Sequence, residues 1–240
     1  MPSPTARLST SRRLKLAYVA IAAADTWLSG SSSPRAHRAR VLTKPMLMPT
    51  LMASLITDPN SATSPLRTST LAAQAGGWGG DLALMGDEPK HFVAGSGSFA
   101  LGHAAYISGF LANRSRTRRP GAKLVVGAWA ATMPVMAFKA SQLDRRLGPT
   151  IAGYSAMLAT TVATATQLDP ALPRSARRLT LAGAAMFMLS DSILGTRKFL
   201  LKNPPPRLES AVMATYTTAQ LLMSEGAARA GVSASSTTGT

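Results

Sequence analysis

Residues Leu179–Thr196 read LTLAGAAMFMLSDSILGT, and Asp191 is the only charged side chain between Arg178 and Arg197. A helix needs about 20 mainly apolar residues to cross a bilayer, or slightly fewer when its ends are polar. The stretch therefore predicts a membrane-spanning helix that holds an acid in its interior. Because an ionisable group inside a bilayer costs several kcal/mol, a chain retains one where it has a function or a fixed partner.

Seven further stretches repeat this pattern of few or no charges, and short charged clusters separate them. Together the eight runs are Leu16–Ser33, Pro45–Thr57, Thr68–Met85, Phe92–Asn113, Leu124–Phe138, Leu147–Leu168, Leu179–Thr196 and Ser210–Ser224. They predict an all-α fold, a polytopic membrane bundle of about eight transmembrane helices with tight loops. We assign residues 14–228 to this single domain, residues 1–13 to a polar basic tail and residues 229–240 to a disordered tail.

The composition dilutes the apolar signal without removing it. The mean hydropathy is only +0.11, because the runs are rich in Ala, Gly, Ser and Thr, which let helix backbones approach closely in lipid. Short runs such as Pro45–Thr57 would also suit buried core helices of a soluble domain. However, Phe92–Asn113 and Leu147–Leu168 lack the charged face of a soluble amphipathic helix, which favours the membrane fold.

The N-terminal sequence resembles a secretory signal, because Arg12, Arg13 and Lys15 precede an apolar stretch. Asp25 interrupts that stretch near its end, where its side chain can reach the membrane interface. We therefore interpret Leu14–Leu28 as a retained first span. With eight spans both termini share one side, whose loops hold slightly more basic residues. We expect a multi-pass protein of the bacterial cell (inner) membrane with both termini cytoplasmic.

The net charge of +16 suggests nucleic-acid binding as one interpretation. The basic residues, however, fall at span ends, as in the cluster Arg114-Ser115-Arg116-Thr117-Arg118-Arg119, and no nucleic-acid-binding motif accompanies them. The cluster indicates a loop that fixes topology and contacts anionic headgroups. We therefore expect membrane lipids as partners and no nucleic acid.

Several familiar catalytic chemistries are missing from the sequence. It has no cysteine, no Gly-x-Ser-x-Gly elbow and no nucleotide loop of the Gly-x-x-x-x-Gly-Lys-Ser/Thr type. Of the three histidines, His37 and His91 fall in loops or at a span edge and only His103 lies within a span, which argues against a zinc site in the membrane. We therefore expect neither a metal nor an organic cofactor.

Asp81 and Asp191 lie deep within otherwise uncharged runs and suggest a buried acid–base site. Four glycines within residues 76–80 precede Asp81, so a neighbouring backbone or a ligand can approach it closely. A purely structural alternative is that each acid is buried in a pair with Lys44 or His103.

Helical spacing places other polar side chains on common faces. His103 and Tyr106 share a face with Phe99, and Tyr216 and Gln220 are four residues apart on another helix. Each also has an ordinary packing role available, such as an interhelical hydrogen bond.

The second span is expected to open at Lys44-Pro45, because Pro is tolerated in the first turn of a helix. Lys44 then either reaches inward or extends to the lipid headgroups. Tyr154, in the sixth run, suits either a packing or an interfacial position.

Five short motifs follow one another along the chain. They are Thr43-Lys44-Pro45, Gly80-Asp81-Leu82-Ala83-Leu84, Phe99-x-x-x-His103-x-x-Tyr106, Ser190-Asp191 and Tyr216-x-x-x-Gln220. Each is weak alone, but the ordered set resembles the YhhN family, whose animal members include lysoplasmalogenases. The resemblance runs from the second span to the eighth. It implies an integral membrane hydrolase that cleaves the vinyl-ether bond of lysoplasmalogens and releases a fatty aldehyde.

The residues suit that chemistry. Vinyl-ether cleavage needs a proton for the alkene carbon and a water for the resulting oxocarbenium carbon. A carboxyl group in an apolar cavity can keep its proton near neutral pH, and a second carboxylate can orient and deprotonate the water. Asp81 and Asp191 are the catalytic candidates, with either one as the acid. The side chains expected to hold a lysophospholipid or ether-lipid substrate are Lys44, His103, Tyr106, Tyr154, Tyr216 and Gln220.

A transporter or lipid-binding membrane protein could use the same acids as proton relays or ligands. Geometry discriminates between these classes. An enzyme should bring both acids to a closed-ended pocket, whereas a transporter should show a path to both sides. In a purely structural protein both acids would be paired and no cavity would exist.

Overall fold

The computed structural model describes residues 8–86, 88–116 and 120–232. Within these ranges it has eight α-helices, no β-strand and one isolated bridge between Arg114 and Leu168. The helices are α1 (Thr10–Ser29), α2 (Pro34–Ile56), α3 (Arg67–Ala83), α4 (Pro89–Ala112), α5 (Gly121–Leu143), α6 (Leu147–Ala165), α7 (Arg174–Gly195) and α8 (Arg207–Arg229). They coincide in order with the eight uncharged runs, which confirms the predicted all-α fold.

Two shorter elements flank these helices, and some predicted segments fall outside the described ranges. A 3₁₀ turn, Pro59–Ser61, precedes α3, and a π-helical segment, Thr196–Leu200, continues α7. Of the two predicted tails, residues 1–7 and 233–240 lie outside the described residues. So do Arg118 and Arg119 of the predicted topology cluster, whereas Arg114 and Arg116 are exposed in the loop after α4.

The start of α2 differs from the sequence-based expectation. The helix begins at Pro34, and Pro45 and Pro49 lie in its interior, so Lys44-Pro45 does not open it. The prediction was wrong because the first turns of α2 are charged and therefore fall outside the apolar run. Pro49 has no N–H to donate to the carbonyl of Pro45 four residues earlier. The indole Nε1–H of Trp78, on α3, donates to that carbonyl at 3.0 Å instead.

Neighbouring helices in the chain pack as the pairs α1–α2, α3–α4, α5–α6 and α7–α8. Further contacts join α2 to α3, α4 to α6, α6 to α7 and α8 to α1, so that seven helices close a ring. α8 also reaches across the ring to α2 and α3. α5 stands outside the ring and packs against α6 and the π-helical segment.

Two helix pairs approach so closely that only glycine fits at the contact. A Cβ added to Gly76 on α3 would lie 2.7 Å from the backbone nitrogen of Gly102 on α4. A Cβ on Gly183 of α7 would lie 2.9 Å from the carbonyl oxygen of Ala219 on α8. Such contacts are typical of helices that associate in lipid. No hydrophobic force joins helices there, and small residues let their backbones pack closely instead.

The core is mainly apolar, but it also encloses polar side chains, and several large apolar side chains are exposed on the outside of the bundle. Asp25 and Gln74 are fully buried, whereas Trp27 is 78% exposed and Leu124 is 74% exposed. By length and composition, two helical stretches among the described residues are apolar enough to cross a membrane: α5, and α7 together with its π-helical extension. The other six described helices do not meet that test, α3 because it has only 17 residues and α1 because it carries four charges.

Candidate functional site

A cavity of about 330 Å³ lies at one end of the helix ring, where α1, α3 and α7 end and α2, α4 and α8 begin. We call it the polar cavity. Asp81 of α3, Asp191 of α7, Lys44 of α2 and Tyr216 of α8 all line it. Two carboxyls that are 110 positions apart in the chain therefore line the same cavity, as the sequence led us to expect.

Asp81 is held between a hydroxyl donor and a cation. It lies in the last turn of α3 and is 2% exposed. The Tyr216 hydroxyl donates to Oδ2 at 2.8 Å, and the Lys44 Nζ lies 3.9 Å from Oδ1. Gly80 leaves room for the Phe99 ring to pack beside this turn. Both polar partners stabilise negative charge on the Asp81 carboxyl.

Asp191 has different surroundings. It is partly buried, and its Oδ2 accepts a hydrogen bond from the Tyr154 hydroxyl. Among the described residues it forms no ion pair. The two carboxyls thus differ in that Asp81 has a cation beside it and Asp191 has none, a contrast that commonly separates a base from an acid.

A second, larger cavity of about 670 Å³ adjoins the first. We call it the apolar cavity, since residues such as Trp129, Met133 and Leu158 dominate its walls, which come mainly from α4 to α7 and the π-helical segment. Residues that line both cavities are Leu84, Phe92, Phe99, Asp191 and Leu194. Asp191 therefore lies at the junction of a polar and an apolar space.

Three of the expected substrate-binding residues lie behind the cavities rather than on their walls. Gln220 hydrogen-bonds Tyr216 and accepts from the Tyr106 hydroxyl at 3.1 Å. The Nδ1 of His103 lies 3.0 Å from the Thr161 hydroxyl, and its ring packs 4.8 Å from that of Phe187. His103, which we expected to hold the substrate, lines neither cavity, because its side chain contacts α6 and α7 instead.

The structure also adds residues that the sequence did not single out. The polar cavity is further lined by His37, Arg40, Ser190, Arg197, Lys198 and Glu209. Arg40 and Lys44 are four residues apart on α2 and so share a face, which is the signal that could have identified Arg40. Arg197 and Lys198 follow Asp191 within two turns but were assigned to a span end.

Asp25 is fully buried, contrary to the expectation that it reaches the membrane interface. Its Oδ1 accepts from the Thr43 hydroxyl at 2.6 Å, and both its oxygens face the Arg40 guanidinium at 3.4 Å. Arg40 continues to Glu209 at 3.5 Å, and Glu209 reaches Arg197 at 3.1 Å. Four charged groups thus form an ionic chain, of which Arg40, Glu209 and Arg197 line the polar cavity and Asp25 lies buried beside it.

No group of three or more histidine or acidic side chains within the described ranges is placed to hold a metal ion. Comparison with known proteins gives one match, to the YhhN family, over residues 39–227. No curated protein and no solved structure matches the chain. The matched region contains both acids and the residues that contact them. Since it also covers most of the sequence, the chain belongs to the YhhN family.

Proposed function

We propose that this chain is a membrane-embedded hydrolase that cleaves the vinyl-ether bond of lysoplasmalogen-like single-chain lipids and releases a fatty aldehyde. The observation that carries the proposal is the meeting of two unlike carboxyls, Asp81 and Asp191, at one cavity that adjoins an apolar one. Membership of a family that includes lysoplasmalogenases supports the same reaction class.

The distribution of side chains supports a membrane environment for the helix bundle. Large apolar residues such as Trp27, Leu42, Leu101 and Phe138 are well exposed on the outside of the bundle. Extensive exposed apolar surface marks contact with lipid or with a partner. In a bilayer these side chains meet acyl tails, while many of the buried polar groups hydrogen-bond to one another inside the bundle.

The unlike surroundings of the acids suggest their roles. We assign Asp191 as the general acid, because none of the described lysines and arginines forms an ion pair with it and because it borders the apolar cavity. The Tyr154 hydroxyl donates to one oxygen of Asp191, so the other oxygen is left to carry the acidic proton. Asp81, beside Lys44, is the general base that orients and deprotonates the water.

Over one turnover the two aspartates give and take protons in four transfers. Asp191 gives its proton to the alkene carbon, the resulting oxocarbenium carbon gains the oxygen of water, and Asp81 takes a proton from that water. The hemiacetal then loses its hydroxyl proton to Asp191, and Asp81 returns its proton to the ether oxygen as the carbon–oxygen bond breaks. The products are an aldehyde and a glycerophospho alcohol, and both acids regain their starting states.

The shape of the polar cavity favours an enzyme over a transporter. All its lining residues come from one end of the bundle, and those from α7 and α8 lie no deeper than Phe187 and Tyr216. At the opposite end Lys15, Asp58 and Glu225 form ion pairs away from either cavity. A closed-ended site of this kind suits a substrate that enters and leaves on the same side.

The test is aldehyde release from purified protein supplied with lysoplasmalogen, with the matched ester lysophospholipid and with the saturated ether lipid. We expect release from the vinyl ether alone, and a loss of about 10²–10⁴-fold in both Asp81→Asn and Asp191→Asn, because positioned acids and bases contribute on that scale. Asp144→Asn, in the loop between α5 and α6, is the control and should keep its activity. Absence of aldehyde from monodisperse wild-type protein would contradict the proposal.

A further inference from the structure

The rim of the polar cavity carries cations that the reaction scheme does not use. Arg40, Arg197 and Lys198 line the cavity together with one acid of the rim, Glu209. Asp25, which is buried beside the cavity, offsets part of the charge of Arg40. The rim therefore keeps an excess of positive charge at the opening of a cavity whose floor holds the two catalytic candidates.

Arg197 has an unused donor at this rim. Its Nη1 lies 3.1 Å from Glu209, but its buried Nε–H has no hydrogen-bond partner in the part of the chain that the structure describes. A buried donor without an acceptor costs free energy. A guanidinium presents its donors as a planar fork that matches the oxygens of a phosphate. Because Arg197 lines the polar cavity, a turn of its side chain toward that space would let a bound phosphate supply the missing acceptor.

The π-helical segment places this rim next to the apolar cavity. Its residues Arg197 and Lys198 line the polar cavity, whereas Thr196, Phe199 and Leu200 line the apolar one. π-helical turns are rare and recur at functional sites. One five-residue segment thus lies between the cations of the rim and an apolar space, which is the arrangement that an amphiphile with an anionic head and one chain requires.

We propose that Arg197 and Arg40, assisted by Lys198, select the phosphate of a single-chain lipid whose hydrocarbon chain occupies the apolar cavity. The place of the scissile bond, beside Asp191 between the two cavities, rests on the proposed function. The phosphate preference does not, because it follows from the charges on the rim. These residues act as specificity determinants and take no part in the proton transfers.

The test measures binding of lipids that the enzyme cannot cleave. The probes are a saturated 1-O-alkyl lysophospholipid, the 1-O-alkylglycerol with the same chain and no phosphate, and glycerophosphate with no chain. Wild-type protein should bind the phosphate-bearing lipid at least about 10-fold more tightly than either other probe, since charged hydrogen bonds are worth about 1.4 kcal/mol or more. Arg197→Gln should remove most of that preference and leave alkylglycerol binding unchanged.

Two further variants keep the result interpretable. Lys198→Gln should weaken the phosphate preference on its own, should Arg197→Gln fail to fold. Lys202→Gln removes an exposed charge at the same end of the bundle, outside both cavities, and should bind like wild type. Equal binding of the two lipids by wild type, or glycerophosphate binding as tight as the lipid, would overturn the inference. Tight phosphate-dependent binding without vinyl-ether turnover would instead overturn the proposed function and leave this inference standing.

Discussion

Each end of the bundle buries an aspartate against a lysine, and the two pairs are built differently. At the end opposite the polar cavity, which we call the closed end, the Lys15 Nζ lies 2.8 Å from Asp58. The oxygens of Asp58 also accept hydrogen bonds from the Ser11 hydroxyl at 3.2 Å and the Asn60 backbone N–H at 3.0 Å. At the cavity end Lys44 stands 3.9 Å from Asp81, which accepts one hydrogen bond, from Tyr216. A carboxylate enclosed by donors stabilises the fold, whereas one with spare acceptor capacity beside a cavity is available to water and substrate.

The largest difference between the two pairs should appear in turnover when each lysine is neutralised. Lys44→Gln removes the cation that stabilises charge on the Asp81 carboxyl, so we expect aldehyde release to fall by about 10- to 100-fold. Lys15→Gln changes a contact remote from both cavities and should leave turnover close to wild type. Steady-state assays of both variants on the same vinyl-ether lipid measure the contrast. Equal losses in the two would show that the ends do not differ in function.

For stability the order of the two ends should reverse, and substitution of Asp58 should cost more than substitution of Asp81. Asp58→Asn removes one of the two negative partners of Lys15, leaving Glu225, and weakens the cap on the 3₁₀ turn, so we expect a loss of about 1–2 kcal/mol in the free energy of unfolding. Asp81→Asn keeps a hydrogen-bonding amide beside Tyr216 and should cost less. Thermal unfolding midpoints of the purified variants test this order, and a larger loss in Asp81→Asn would reverse our assignment of the two ends.

The smallest expected effect is a pH dependence of stability at the closed end. Burial disfavours the charged form of Asp58, but the Lys15 hydrogen bond and charge, together with the Asn60 and Ser11 donors, hold the pKa of this carboxyl below its ordinary value of about 4. Its contribution to stability is therefore complete above pH 4 and is lost as the pH falls through the lower, folded-state value.

The difference in unfolding midpoint between wild type and Asp58→Asn isolates this contribution from that of other groups. We expect the difference to be constant from pH 7 to about pH 5 and to shrink toward pH 2. A difference that grows on acidification would mean that the neutral form of Asp58 is the one that the fold stabilises.

Most of the fold could be predicted from the sequence because the charges mark the helix ends. The uncharged runs located all eight helices, although α2 begins 11 residues before the predicted start, at Pro34 rather than at Pro45. That error has a local cause, since the first turns of α2 carry Arg35, Arg38 and Arg40, of which Arg40 lines the polar cavity. An apolar run reports where a helix meets lipid or core, and not where its hydrogen bonds begin.

The two acids and the lysine beside them were easier to predict than the charged residues at the rim of the polar cavity. Asp81, Asp191 and Lys44 stood out because isolated charges in apolar runs are costly. Arg197 and Glu209 did not, because a charge at a span end is expected whether or not it has a function. The side of the helix on which such a residue lies depends on packing between distant helices, which the sequence does not display.

The hydrogen bond from the Trp78 indole to the Pro45 carbonyl joins two helices close to Lys44 and Asp81. Pro45 directly follows Lys44, and Trp78 precedes Asp81 by three residues, so the bond joins α2 and α3 beside the two groups that must stay near each other without touching. The carbonyl is available only because Pro49 cannot occupy it. A hydrogen bond that proline removes from one helix is thus replaced by a link between α2 and α3, next to Lys44 and Asp81.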